Sequence, residues 1–204
     1  ALCYAVDRQA INDFLFGGKS KLIGSHMIPA LSKYYESGAE NVYTYDPEKA
    51  KQLLAEAGYA DGFDLEITVP SSYSQHVDSA QLKAVGINAN LKLVEWSTWL
   101  DETYNGRKYE ATVVGFDGTL APNDWLKKYR SDASNNIANF KNDEYDKILD
   151  EALKTVDEEE KVTLYKKLQM ILAENAASVY IEDPADFVAV NKRIGGYEFY
   201  PIAA

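Results

Sequence analysis

What most constrains this chain is the alternation of helix and strand along its middle third, with a glycine closing each helix. Asp46 and Pro47 open the first unit, Asp as a side-chain cap and Pro at the first helical position. The pattern predicts a helix over Pro47 to Ala57 that stops at Gly58, a residue suited to the left-handed backbone just past a helix. Phe63-Asp64-Leu65-Glu66-Ile67-Thr68-Val69 then alternates apolar and polar, the period of a strand with one buried face. A second, shorter helix is predicted near Gln75 to Val85, closed by Gly86, and Ile87 to Val94 alternates again. Ser97 can cap a short helix through Tyr104, and Ala111 to Val114 reads as a third, more buried strand. Strands alternating with helices define an α/β domain.

The flanks are more helical. The chain opens inside a helical pattern, with Leu2, Val6, Ala10 and Phe14 at i+4 steps and Ile11 and Leu15 widening the stripe. A domain rarely starts mid-helix without a cap, so a piece of a longer protein is expected. Gly17-Gly18 ends that pattern, and a polar stretch runs to about Asn41. Near the other end, Tyr145, Ile148, Leu149, Ala152 and Val156 make one apolar face, and Leu164, Leu168, Ile171 and Leu172 the next. Asp157 with Glu160 forms a capping-box-like start between them. Val179-Tyr180-Ile181 and Phe187 to Val190 are predicted closing strands. No repeat or linker divides the chain, so residues 1–204 are read as a single α/β lobe.

Charge excludes some partners. Lys and Arg number 21 against 32 Asp and Glu, a formal charge of −11. Nucleic-acid affinity rests largely on neutralising phosphates, so no nucleic-acid partner is expected, nor docking on anionic lipid. No apolar stretch approaches the roughly 18 residues of a membrane span, so no direct membrane insertion of this segment is expected. The single cysteine, Cys3, leaves no internal disulfide framework.

Reactive chemistry is thinly represented. Gly18-Lys19-Ser20 has the tail of a phosphate loop but follows a helix and lacks the leading glycine, where Asp13 stands. His26 and His76 carry no HExxH spacing and have no cysteine partner, so no metal site is expected; His76, in a Ser/Gln loop, reads as solvated. There is no GxSxG elbow. Acid runs such as Asp157-Glu158-Glu159-Glu160 sit where negative charge favours a helix N-terminus. Cys3 lies among apolar neighbours and reads as a buried small hydrophobe. The conspicuous feature is aromatic: 3 Trp, 15 Tyr and 7 Phe. Each buried Tyr hydroxyl needs a partner, and surplus Tyr and Trp suit a binding groove.

Several segments, in order, resemble the extracytoplasmic solute-binding proteins of peptide/nickel-type ABC transporters, family 5. They are Ala1-Leu2 with Ala5 to Arg8, Tyr45 to Tyr59 with its Asp-Pro-x-Lys-Ala-x-x-Leu-Leu-x-x-Ala-Gly core, and Leu82 to Leu91. Glu95-Trp96, Asn142 to Asp146, Leu164-Tyr165 and Gly195-Gly196-Tyr197 complete the set. The resemblance implies one lobe of a type II periplasmic-binding-protein-like fold, a mixed sheet flanked by helices. It implies a solute receptor rather than an enzyme, without cofactor, in the periplasm or on a cell-surface lipoprotein. Its partners would be a peptide or other small solute, an ABC permease and the first lobe of the same protein. Ligand is enclosed between two such lobes, so this lobe alone is expected to bind weakly.

The resemblance also places the site. Peptide-binding members carry Gly-Trp-x-x-Asp-x-x-x-Pro after the third strand, the Trp bordering a pocket and the Asp pairing with the peptide amine. Here the loop is Gly115 to Pro122, one residue shorter, with Phe116 at the Trp position, Thr119 at the Asp position and Asp117 two residues early. Either Asp117 takes over the pairing or the ligand has no free amine; otherwise Asp117 is a turn residue before Gly118. Trp96 matches an aromatic that borders a side-chain pocket in some members, with a strand-end core role as the alternative. Trp99 and Trp125 read as packing residues. The helix before Leu82 is about two turns shorter than in the family, which predicts missing chain near Asp78 to Gln81. Competing functions are a carboxylate-dyad, glycosidase-like hydrolase and a sensory receptor domain of the same fold.

Overall fold

The computed structural model describes residues 1–198. In chain order the helices are α1 (Leu2–Ala5), α2 (Arg8–Phe16), α3 (Pro47–Glu56), α4 (Ser79–Ala84), α5 (Trp96–Thr98), α6 (Asn123–Leu126), α7 (Asp143–Lys154) and α8 (Glu158–Glu174). The strands are β1 (Lys21–Leu22), β2 (Phe63–Pro70), β3 (Ile87–Val94), β4 (Ala111–Thr112) and β5 (Glu182–Asp183). A parallel sheet of order β3-β2-β4 forms the centre, and β1 and β5 make a separate antiparallel ribbon.

The pleat explains the alternation in sequence. Leu65, Ile67 and Val69 of β2 lie beside Ala89, Leu91 and Leu93 of β3 on one face. The other face is polar: Asn88 donates to Asp64 at 2.6 Å, and Lys92 meets Glu66 at 3.5 Å. On the apolar face, Ala50 and Leu54 of α3 and Leu82 of α4 form a core with Ile67, Val85 and Ile87. The two long strands begin together at Gly62 and Gly86. Gly62 has φ +78°, and a Cβ there would stand 2.2 Å from the Gly86 carbonyl oxygen; next to it, Phe63 N donates to that same oxygen at 3.1 Å.

A second core joins α7 and α8. Tyr145, Leu149, Ala152, Leu168 and Leu172 are buried there with Leu126 and Tyr129. The Tyr145 hydroxyl donates to the Leu126 carbonyl at 2.8 Å, which satisfies a phenol that the apolar surroundings would otherwise penalise. Asn142 and Asp157 cap the two helices through the amides of Tyr145 and Glu160. Arg8 ties separate segments together. Its guanidinium donates to the carbonyls of Ile23, Tyr180, Glu40 and Tyr43 at 2.9, 3.3, 2.7 and 3.1 Å.

Several expectations are corrected. The opening helix is two helices, because Asp7 caps α2 through the Ala10 amide and gives its own N–H to Gln81 Oε1; the i+4 stripe therefore fails, and Phe14 is 80% exposed while Ile11 is buried. The predicted helix from Gln75 splits into a 3-10 turn, Ser71–His76, and α4, because Asp78 caps the Ala80 and Gln81 amides. The segment is anchored locally, with Asp78 capping α4 and Gln81 Oε1 accepting from the Asp7 amide. Val156 is 91% exposed in the turn between α7 and α8. Neither predicted closing strand forms: Val179 to Ile181 and Phe187 to Val190 are not strands, and β5 lies between them, limited by the two residues of β1 that it pairs with. His76 is not solvated. Its Nε2 lies 3.5 Å from the buried Glu182 carboxylate, and burial lowers the His76 pKa and raises that of Glu182, so the contact is between two groups biased toward neutrality.

Candidate ligand-binding face

In open parallel sheets, ligands sit beyond the carboxyl ends of the strands. Three such ends converge here. After β2 the Ser71–His76 turn carries Tyr73; after β3 comes Trp96 on α5; after β4 the loop carries Phe116, Asp117 and Thr119. Gly115 permits this closeness, since a Cβ there would stand 2.8 Å from the Tyr73 ring.

Aromatic rings form the wall. Trp96 is 47% exposed and stacks on the fully buried Trp99 at 5.2 Å and 15°. Trp99 donates from Nε1 to Thr112 Oγ1 at 2.9 Å, locking it beneath the strand end. Phe116 touches Trp99, Tyr104 and Trp125 with centroids at 6.2, 6.1 and 4.7 Å. Helix α5 runs directly into a π-helical turn, Trp99–Asn105, which aims Tyr104 at this group; such turns recur at functional sites. Trp96, expected either at a pocket border or in the core, is thus half in each: one ring face packs and the other is open.

The polar groups are few. The Trp125 indole donates to the Asp117 carbonyl at 3.2 Å, which fixes the loop backbone. The Asp117 carboxylate is exposed and has no hydrogen-bond or ion-pair partner among the described residues. Thr119 donates to the Ala121 carbonyl at 3.1 Å, so its hydroxyl is engaged within the loop. Phe116 and Trp96 thus meet through Trp99, Asp117 joins the group through its carbonyl contact with Trp125, and the Thr119 hydroxyl is engaged within its own loop.

Sequence reasoning missed two contributors. His26 sits among Phe116, Trp125, Tyr129 and Tyr180, with ring centroids 5.9, 5.1, 5.5 and 5.4 Å away. Burial, then the nearby Lys128 charge, lowers its pKa to about 4. Its Nδ1 lies 2.6 Å from the Tyr129 hydroxyl, whose own pKa burial pushes up to about 12. Trp125 packs on Phe116 and His26, as read, and its indole N–H also holds the Asp117 carbonyl. Lys128 lies over the Trp125 ring with its ammonium 3.4 Å from the centroid. The i,i+3 spacing of Trp125 and Lys128 was the available signal, since helical neighbours three apart share a face. Among the described residues, no group of three or more His, Cys, Asp and Glu converges as a metal-ligand set.

Comparison with known proteins follows the same geometry. The family model "Bacterial extracellular solute-binding proteins, family 5 Middle" matches residues 1–137. Heme-binding protein A of Haemophilus influenzae is 29% identical over 97% of this chain and 38% of its own length. Di/tripeptide-binding protein 1 of Pseudomonas aeruginosa is 28% identical over 98% of this chain and 39% of its own length. The periplasmic binding protein DppA of Helicobacter pylori, solved with peptide STSA, superposes with a TM-score of 0.78 at 26% identity, covering 90% of this chain and 37% of that one. The chain spans about two-fifths of the length of these relatives, and its α/β architecture is that of a periplasmic-binding-protein-like lobe. On these grounds the chain belongs to family 5 of the bacterial extracellular solute-binding proteins.

Proposed function

We propose that this chain is the second, ligand-facing lobe of a two-lobe receptor that captures an oligopeptide or similar small solute outside the membrane and delivers it to an ABC permease. The observation that carries the reading is the convergence of three strand ends on an aromatic wall beside one unpartnered carboxylate, Asp117. Rings supply contact area with little orientation cost, and a single charge gives direction. Closure by the first lobe would dry the face, and an exposed carboxylate then binds a cation far more strongly than it does in water.

Asp117 is the residue to which we assign the solute's ammonium group. Thr119, where the family resemblance would place the acid, has its hydroxyl directed into the loop and is assigned no charge pairing. Phe116 and Trp96 would flank the adjoining side chain. A receptor is favoured over a hydrolase because the acids raised by burial, Glu182 and Asp183, are neighbours on one strand. Side chains of consecutive strand residues point to opposite faces, so these two do not converge as a dyad. Family membership accords with an extracytoplasmic location.

The test uses the intact two-lobe protein and calorimetry with di- and tripeptides, glutathione and hemin. A peptide is expected to bind, and Asp117→Asn is expected to weaken it by roughly tenfold or more, with no effect on the N-acetylated peptide. Equal binding of free and acetylated peptides by the unaltered protein would remove Asp117 from this role.

A further inference from the structure

Next to the aromatic wall lies a shallow cleft, bordered by His26, Tyr104, Trp125, Lys128 and the segment from Asn135 to Ala138. Its lining is unusual for this chain. Acids outnumber bases by 32 to 21, yet none of the described residues lining the cleft is acidic. Its one charge is Lys128, half-buried on the indole of Trp125 and 6.0 Å from the Phe116 centroid. Neighbouring Lys127 pairs with Asp124 at 3.2 Å. Lys128 has no carboxylate within ion-pair distance among the described residues.

The remaining polar groups at the cleft are able to donate. Asn136 is occupied by the backbone of Arg130 and Phe140, but the side chains of Asn135 and Tyr104 have no hydrogen-bond partner among the described residues. An ammonium held against an aromatic face is partly compensated by the ring quadrupole, and it remains free to take an anion on its other side. A half-buried cation among donors, on which Asp124 acts only from beyond ion-pair distance, is suited to receive an anion. The Asp117 carbonyl accepts from the same indole's N–H, so an acidic and a basic residue both contact one tryptophan.

Resting on the peptide-type reading given above, we propose that this cleft is an anion subsite, in which Lys128 Nζ pairs with a carboxylate of the captured solute while Asp117 takes its amine. The solute class is then zwitterionic, with its two poles read by one lobe. A short peptide with both ends free, or an amino-acid conjugate, meets that description.

The experiment uses the intact protein and three probes: the dipeptide Ala-Phe, its C-terminal amide, and N-acetyl-Ala-Phe. Lys128→Met keeps the aliphatic stem on the indole and removes the charge; its melting temperature is compared with that of the unaltered protein to establish folding. Lys128→Met is expected to weaken calorimetric binding of Ala-Phe and N-acetyl-Ala-Phe by roughly tenfold or more and to leave the amide unchanged. Lys128→Arg should retain discrimination between acid and amide. Equal losses for acid and amide, or no loss for either, would overturn the assignment. If the unaltered protein binds none of the three, the peptide reading falls, and the subsite is tested by itself. Tryptophan fluorescence of the unaltered protein should then respond to N-acetylglycinate and not to N-acetylglycinamide, and the Lys128→Met protein to neither. An equal response of the unaltered protein to both, or none, also overturns the subsite.

Discussion

Four aromatic rings around His26 turn one side chain into a measurable property of the fold. Its Nδ1 meets the Tyr129 hydroxyl, a contact in which a neutral imidazole accepts and the phenol donates. Protonation would replace that acceptor with a second donor next to Lys128. The unfolded chain takes up the proton near pH 6.5, whereas the native state holds out to about 4. Stability from this residue is therefore complete above pH 6.5 and is lost as pH falls towards 4, by roughly 2–3 kcal/mol. Burial raises the pKa of Glu182 and Asp183, which acts in the opposite sense, since those carboxyls favour the native state at low pH and lose that contribution as pH rises. The two effects are separated by comparing urea midpoints at pH 7 and pH 4.5 in the unaltered protein and in His26→Gln, which still offers an acceptor to Tyr129. The variant is expected to show a flatter pH dependence; identical slopes would mean that His26 titrates normally. None of this was legible in the sequence, where His26 stood in a polar stretch with no partner in view. The rings that surround it come from segments as distant as Phe116 and Tyr180.

At the level of elements, local signals were most readable where one residue decides a boundary. Asp46, Pro47 and Gly58 bracket α3, and the alternation of β2 and β3 reproduces the observed pleat. Legibility failed where a side chain redirected the backbone, as Asp7 and Asp78 do by capping, or where pairing needed a partner strand that is only two residues long. Parallel pairing of β2 and β3 depends on backbones meeting at Gly62. Gly62→Ala combines a left-handed φ with a Cβ 2.2 Å from a carbonyl oxygen. The φ alone costs roughly 1–3 kcal/mol, and the contact adds to it by forcing the strand starts apart. Chemical denaturation should show a lowered midpoint, and an unchanged midpoint would mean that the strands begin elsewhere. Helix α4 has six residues and covers only the first part of β3. Leu91 and Leu93 are consequently 39% and 55% exposed, while their partners Ile67 and Val69 are buried.

Across the whole molecule, two cores are held in one body by backbone-directed hydrogen bonds as much as by apolar packing. Arg8 is the clearest case, since four carbonyls from three segments converge on one guanidinium. Lysine cannot reproduce that fork, so Arg8→Lys is expected to destabilise nearly as much as Arg8→Met, each by roughly 2 kcal/mol or more, read as a drop in thermal midpoint. Full recovery by lysine would show that charge alone suffices. The family resemblance made the architecture legible and pointed to the loop of Phe116 and Asp117, whereas the seating of Lys128 on Trp125 is visible only in the folded structure. The stacked indoles of Trp96 and Trp99, one open to solvent and one enclosed, lie near enough and parallel enough for their excited states to couple. Circular dichroism should therefore carry an exciton band from this pair, giving the lobe an intrinsic, label-free optical gauge of whatever settles on its outer ring.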